Sequence, residues 1–195
     1  VVTVSDHIRG NINAPIKIVE YSDLECPYCK VFHQNLNQVF EQYKSTNKLA
    51  WVFRQFPLEG LHEKARKEAE ATECAGELGD NDIFWSYLDK IYEITPSNDG
   101  LDLAQLPIIA KDLGLDQKSF EACLASGKYA EKIDSQINEA TLSGGTGTPY
   151  PIIILNSPTK ADLSVYEDQP AKLGSEAKDG PISINPDRTR IVLKG

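Results

Sequence analysis

Residues 22–36, SDLECPYCKVFHQNL, place a Cys-x-x-Cys pair where one local pattern gives way to another. Ahead of it, residues 16–22 are apolar at Ile16, Ile18, Val19 and Tyr21 and read as a strand. Behind it, Pro27 suits the first turn of a helix, where its missing N–H leaves no bond unmade. Phe32, Leu36, Val39, Phe40 and Tyr43 then recur at helical spacing. Residues 49–56 form a second strand, closed by Pro57. Strand, helix, strand in this order is a βαβ unit with Cys26 and Cys29 at the strand-to-helix junction, where α/β folds present reacting groups.

A cysteine at a helix start faces unpaired backbone N–H groups and the positive end of the helix dipole, which favour its thiolate. Cys26 has that position, and Cys29 lies one turn inside and is shielded. The asymmetry fits a nucleophile, Cys26, and a resolving partner, Cys29. A purely structural bridge is a poor alternative, because so short a ring is strained and easily reduced. A metal site from Cys26, Cys29 and His33 lacks a fourth ligand, since no second Cys-x-x-Cys or paired histidine follows. His33 itself reads as a solvated histidine on the helix flank. The pair is therefore read as redox-active, with no metal.

Downstream, residues 61–78, a run from Phe84 to Tyr92, and residues 107–113, 119–125 and 129–142 read as helices, most of them stopped by glycine. They form one helical layer set into the α/β core. Strand character returns in GTGTPYPIIIL, residues 145–155. Residues 156–180 are polar and read as an irregular excursion, and residues 182–184 and 189–193 flank an Asn-Pro-Asp turn as a hairpin. The fold class expected is α/β, thioredoxin-like with an inserted α-helical layer: residues 1–57 and 145–195 as core, residues 58–144 as the insertion.

The chain has 195 residues, enough for one large domain or a core with an insertion, and its longest apolar run is the short segment 152–155, too short to cross a membrane. A net charge of −9 argues against a nucleic-acid partner. The sequence opens on Val1 and contains no methionine, so it is expected to be a processed product from which any signal peptide or anchor has gone.

With these features the chain resembles the DsbA-like thiol–disulfide oxidoreductases, over about residues 6–155. The carriers are APIKIVEYSDLECPYCKVFH, VFRQFPL with LHEKA, ECAGELGDNDIFWSYLDKIY, FEACLASGKYA and GTPYPIII. Glutaredoxins share Cys-Pro-Tyr-Cys but lack the helical insertion. The resemblance implies Cys26 as nucleophile and Cys29 as resolving cysteine, with Pro27 and Tyr28 between them at the substrate face. It implies a cis-proline at Pro149, with the Thr148 backbone turned toward a bound substrate strand. It implies that Glu20 is a buried acid assisting proton transfer; a strand-edge, exposed glutamate is the plain alternative. Two departures stand out. Pro151 interrupts the start of the late strand, and the family's closing helix has no counterpart before Gly195.

The function expected is dithiol–disulfide exchange with exported protein substrates bearing cysteines, as a disulfide-forming oxidase. A reductase or isomerase of the same fold, or a non-catalytic module that binds metal or a partner, is the alternative. No diffusible cofactor is required, but a membrane or soluble redox partner must recycle the pair. The location implied is extracytoplasmic: periplasmic, secreted or anchored facing outward. Cys74 and Cys123 each share a helix face with apolar residues. Buried free thiols explain that pattern; export and the resemblance favour a structural disulfide between them.

Overall fold

The computed structural model describes residues 1–161 and 182–193. Among the described residues, six strands form one mixed sheet: β1 (His7–Gly10), β2 (Ile16–Ser22), β3 (Leu49–Gln55), β4 (Tyr150–Leu155), β5 (Ile182–Ile184) and β6 (Arg190–Leu193). Their order is β1-β3-β2-β4-β6-β5. β2 and β3 are parallel, joined through α1 (Pro27–Tyr43), and the other neighbouring pairs are antiparallel. Five helices run between β3 and β4: α2 (Ala65–Leu78), α3 (Asn81–Ile94), α4 (Gln105–Asp112), α5 (Gln117–Ser126) and α6 (Ala130–Leu142). This is a thioredoxin-like fold with a helical insertion.

β3 is buried along its whole length, so both faces of the sheet are covered there. Its period-two alternation sends Leu49, Trp51 and Phe53 into one core with α1 and α3, whose Phe84, Trp85, Leu88 and Ile91 are all buried. Val52 points to the other face, with Val19, Tyr21, Ile152 and Ala140 of α6. The same alternation puts Glu20, between Val19 and Tyr21, on the face covered by α1 and α3.

Four sequence expectations change. β1 has no counterpart among the expected strands: it carries one aliphatic residue, Ile8, and owes its existence to pairing with β3. α2 starts at Ala65, not at residue 61, because residues 58–64 form turns. There the Asp99 carboxylate accepts the Glu63 and Lys64 N–H groups and caps the helix from outside. The buried stripe of α1 is Cys29, His33, Leu36 and Phe40, while Val39 and Tyr43 face solvent. Pro151 does not interrupt β4, which runs through it; it lies opposite Glu20, outside the β4–β6 ladder that begins at Ile152. The excursion expected at residues 156–180 lies mostly outside the described residues.

Cys74 of α2 and Cys123 of α5 are joined by a disulfide, with Cα atoms 5.9 Å apart. The bridge lies in the same core as α3 and ties two inserted helices together.

Candidate active site

Asp23 shapes the turn between β2 and α1. One carboxylate oxygen accepts the N–H groups of Glu25 (2.8 Å) and Cys26 (3.1 Å). The other accepts the Leu58 N–H (2.7 Å) and contacts His62 Nδ1 (2.9 Å). Cys26 is thereby fixed in extended backbone as the residue before the helix, with Pro27 as its first helical residue. Cys29 sits one turn in.

Both thiols are free. Cys26 is 5% exposed and its Sγ lies 3.6 Å from the Thr148 carbonyl oxygen; Cys29 is fully buried, and the Asp23 N–H donates to its sulfur at 3.4 Å. Their environments separate their acidities. A hydrogen bond from Cys29, aided by the backbone N–H groups of Cys29 and Tyr28, outweighs burial and lowers Cys26 to about 6. Burial, and then the neighbouring Cys26 sulfur, push Cys29 well above the ordinary thiol range. The arrangement is a stabilised thiolate beside a protonated thiol.

The Thr148–Pro149 peptide bond is cis and delivers Thr148 to Cys26. Thr148 and Pro149 are half-buried, as is Pro27, and Tyr28 is exposed. Of these, Thr148 touches the Cys26 sulfur through its carbonyl, and Pro27 and Tyr28 follow Cys26 in the first turn of α1.

Glu20 is fully buried on β2. It accepts hydrogen bonds from Ser22 Oγ at 2.7 Å and Trp51 Nε1 at 2.9 Å. Ser22 Oγ also meets the Tyr92 hydroxyl at 2.9 Å, and its hydroxyl favours the Cys29 thiolate, in part against burial. Burial raises the Glu20 pKa above the usual carboxylate value, partly offset by His33 and these hydrogen bonds.

The surface reading of His33 is overturned: it is 2% exposed, packed between the rings of Trp51 and Tyr92. Its position four residues after Cys29 puts it on the buried stripe of α1, a spacing that the sequence displays. Among the described residues, no group of three His, Cys, Asp or Glu side chains is placed to hold a metal ion, and Cys26, Cys29 and His33 do not form one.

Sequence reasoning also passes over the acids and the histidine around the turn. Asp23 and Glu25 lie inside the SDLECPYC stretch, and His62 inside LHEKA, but their contacts depend on the tertiary fold. Glu25 accepts the Gly100 and Leu101 N–H groups and the Thr95 hydroxyl, holding the loop after α3 against the site. Glu68 of α2, fully buried, is pushed up to about 10 by burial and by the Glu25 carboxyl beside it, so it keeps its proton at neutral pH.

A thioredoxin family model matches residues 2–164. DsbA2 of Pseudomonas aeruginosa is 31% identical, with 80% of this chain and 83% of that one covered and a TM-score of 0.66. Alpha-DsbA1 of Wolbachia pipientis is 27% identical over 84% of this chain and 82% of that one, with a TM-score of 0.68. Among curated proteins, the Na(+)/H(+) antiporter NhaA 3 of Salinispora tropica is 36% identical over 144 residues, which are 74% of this chain and 21% of the antiporter. The chain thus spans about a fifth of the length of that relative. Sequence, fold and site together place the chain in the thioredoxin family, among its DsbA-like thiol–disulfide oxidoreductases.

Proposed function

We propose that this enzyme is a disulfide-forming oxidase for exported protein substrates. The observation that carries the reading is the opposed protonation of the two sulfurs, Cys26 lowered and Cys29 raised. A stabilised Cys26 thiolate is a good leaving group and favours the reduced form of the pair, which makes the oxidised form a strong acceptor of electrons.

A substrate thiolate attacks Cys26 of the oxidised pair, and the Cys26–Cys29 bond breaks with its electrons on Cys29. The substrate's second thiolate then attacks its own sulfur in the mixed disulfide, forming the substrate disulfide and releasing Cys26 as thiolate. Glu20 exchanges the Cys29 proton through the Ser22 hydroxyl, a role supported by the bond from Ser22 to Glu20 and by the Ser22 hydroxyl's pull on the Cys29 pKa. The Thr148 carbonyl, held toward Cys26, pairs with substrate backbone and gives sequence-tolerant recognition, while Pro27, Tyr28 and Pro149 line the same face. Cys74–Cys123 is the structural bridge. The reading includes no cofactor. A redox partner, membrane-bound or soluble, must recycle the pair.

Extracytoplasmic placement belongs to the same proposal, as does the division into core (1–57, 145–195) and insertion (58–144). The unbroken succession of five helices between β3 and β4 supports that division. The buried disulfide, and likeness to a segment of an antiporter, support action at or beyond a membrane.

The test is trapping. Cys29→Ser cannot close the protein disulfide, so the reduced variant is offered a substrate with an activated disulfide. It should accumulate a mixed disulfide at Cys26, whereas Cys26→Ser should neither trap nor turn over. In parallel, oxidised wild-type protein should convert a reduced two-cysteine peptide to its disulfide stoichiometrically. Equal trapping by both variants, or an unreacted peptide, contradicts the proposal.

A further inference from the structure

Glu20 is sealed from solvent, so an acid in its position needs a route for its own proton. The described structure holds the pair as free thiols, and burial favours the protonated carboxyl at Glu20. Where Glu20 carries a proton, it has to release it before it can take the Cys29 proton in reoxidation. Around it stand Ser22 on its own strand, Trp51 of β3, His33 of α1 and, beyond Ser22, Tyr92 of α3. Trp51 donates to it and cannot accept a proton. Tyr92, raised well above the usual phenol value by burial, keeps its own proton.

His33 is the remaining exit. Its Nδ1 is buried, has no hydrogen-bond partner, and lies 4.0 Å from Glu20 Oε2. Its Nε2 meets Asp89 Oδ1 at 2.7 Å. The Asp89 side chain is 36% exposed and is paired with Arg9 at 2.7 Å. One imidazole ring therefore spans the distance from a fully buried carboxyl to a carboxylate that touches solvent. The Nδ1 gap is about 1 Å longer than a hydrogen bond, and bonds of this kind often tighten only during reaction.

We propose that His33 carries the proton of Glu20 to and from solvent, through Asp89, and so sets the rate at which Cys29 can be deprotonated. This inference rests on the reading of Glu20 as the acid serving Cys29. His33 touches neither substrate nor sulfur; it is a positioning residue acting through Glu20. In reoxidation by a small-molecule disulfide, the Cys26 thiolate attacks one sulfur and expels the other as thiolate. Glu20 has passed its proton to His33 Nδ1, and Nε2 has released one toward Asp89 and solvent. Cys29 then gives its proton through Ser22 to the vacant carboxylate and attacks Cys26 Sγ. The protein disulfide closes and the second small-molecule thiolate leaves. Two electrons pass from the protein dithiol to the oxidant, and one proton leaves along the relay. Substrate oxidation runs the same path inward.

The test follows closure of Cys26–Cys29 after mixing reduced protein with oxidised glutathione, by acid quench and thiol counting, from pH 5.5 to 9. His33→Gln should slow closure about ten-fold at pH 7, less than the roughly 10²–10⁴ of a direct acid–base group because His33 acts through Glu20. The deficit should shrink as pH rises, because rising hydroxide concentration favours the Glu20 carboxylate without the relay. Glu20→Gln should be slow at every pH, and the double variant no slower than Glu20→Gln alone, because the two act in series. Asp89→Asn, at the solvent end, should reproduce part of the His33→Gln deficit with the same pH trend, and is informative if His33→Gln does not fold. If Glu20→Gln is slow but His33→Gln and Asp89→Asn close at the wild-type rate, the relay is wrong and the Glu20 role stands. A deficit in those two variants that is constant with pH, or that multiplies with Glu20→Gln, likewise overturns the relay and leaves Glu20 in its role. If Glu20→Gln itself closes at the wild-type rate, the reading of Glu20 fails and the relay with it.

Discussion

Cys26 and Cys29 carry the same functional group, two residues of helix separate them, and their surroundings drive their acidities apart. Helix-start amides and a partner thiol act on Cys26; burial acts on Cys29. The expected outcome is selective alkylation of the reduced protein. Iodoacetamide should label Cys26 with a rate that is half-maximal at about pH 6, leaving Cys29 unmodified in the folded state. Labelling of both cysteines with a midpoint in the ordinary thiol range would contradict the electrostatic account. This difference is legible from residue type and position, since Pro27 marks the helix start. Asp23 is not legible in the same way. Its carboxylate reaches forward to Cys26 and across to Leu58 and His62, contacts that span up to 39 positions and exist only once β3 lies beside β2.

For whole elements, the strands and helices that bury strong apolar patterns are readable, and those governed by tertiary pairing are not. β2, β3 and the β5–β6 hairpin follow from alternation and turn residues. β1 has too little apolar content to announce itself, and the start of α2 is set by Asp99, distant in sequence. The α1 stripe is misphased in the sequence because aromatic residues draw the face toward Val39 and Tyr43, while a histidine takes a core position. Burying an imidazole is tolerable there because Asp89 meets one nitrogen and two aromatic rings flank it. The Cys74–Cys123 bridge closes a loop with a sequence separation of 49. In the chain-entropy model such a closure is worth about 4 kcal/mol. Cys74→Ala with Cys123→Ala should therefore lower the melting temperature by roughly 10 °C, at about 2–4 °C per kcal/mol for a chain of this size. Exchange at Cys26 should persist. Mild reductant that opens Cys26–Cys29 should spare this buried bridge, since exchange requires access. An unchanged melting temperature in the double variant would deny the bridge its stabilising role.

Across the whole molecule, the buried acids make stability depend on pH in a defined sense. Glu68 holds its proton up to about 10 in the folded state, whereas an unfolded glutamate loses it near pH 4.3. The folded protein thus binds more protons between those values, and its stability falls as pH rises through that window. His62 adds in the same direction. Burial opposes its charge, but the Asp23 carboxylate prevails and raises its pKa, so its contribution is present below about pH 6.5 and lost above its folded value. Glu68→Gln removes the Glu68 titration while keeping a side chain of nearly the same size. Its melting temperature should exceed that of the wild type by a margin that grows from pH 5 to pH 9; a margin that is constant with pH would show that Glu68 does not titrate in this way.

The claim that organises all of this is that the fold stabilises the reduced pair and so makes the oxidised protein a donor of disulfides. The Cys26–Cys29 reduction potential, measured against a series of glutathione redox buffers, tests it most directly. A Cys26 thiolate stabilised at neutral pH predicts an equilibrium midpoint well above the roughly −270 mV of a reducing thioredoxin and toward the roughly −120 mV of a strong oxidase. A midpoint at or below about −270 mV would mean that the pair holds its disulfide rather than giving it away, and would contradict the account.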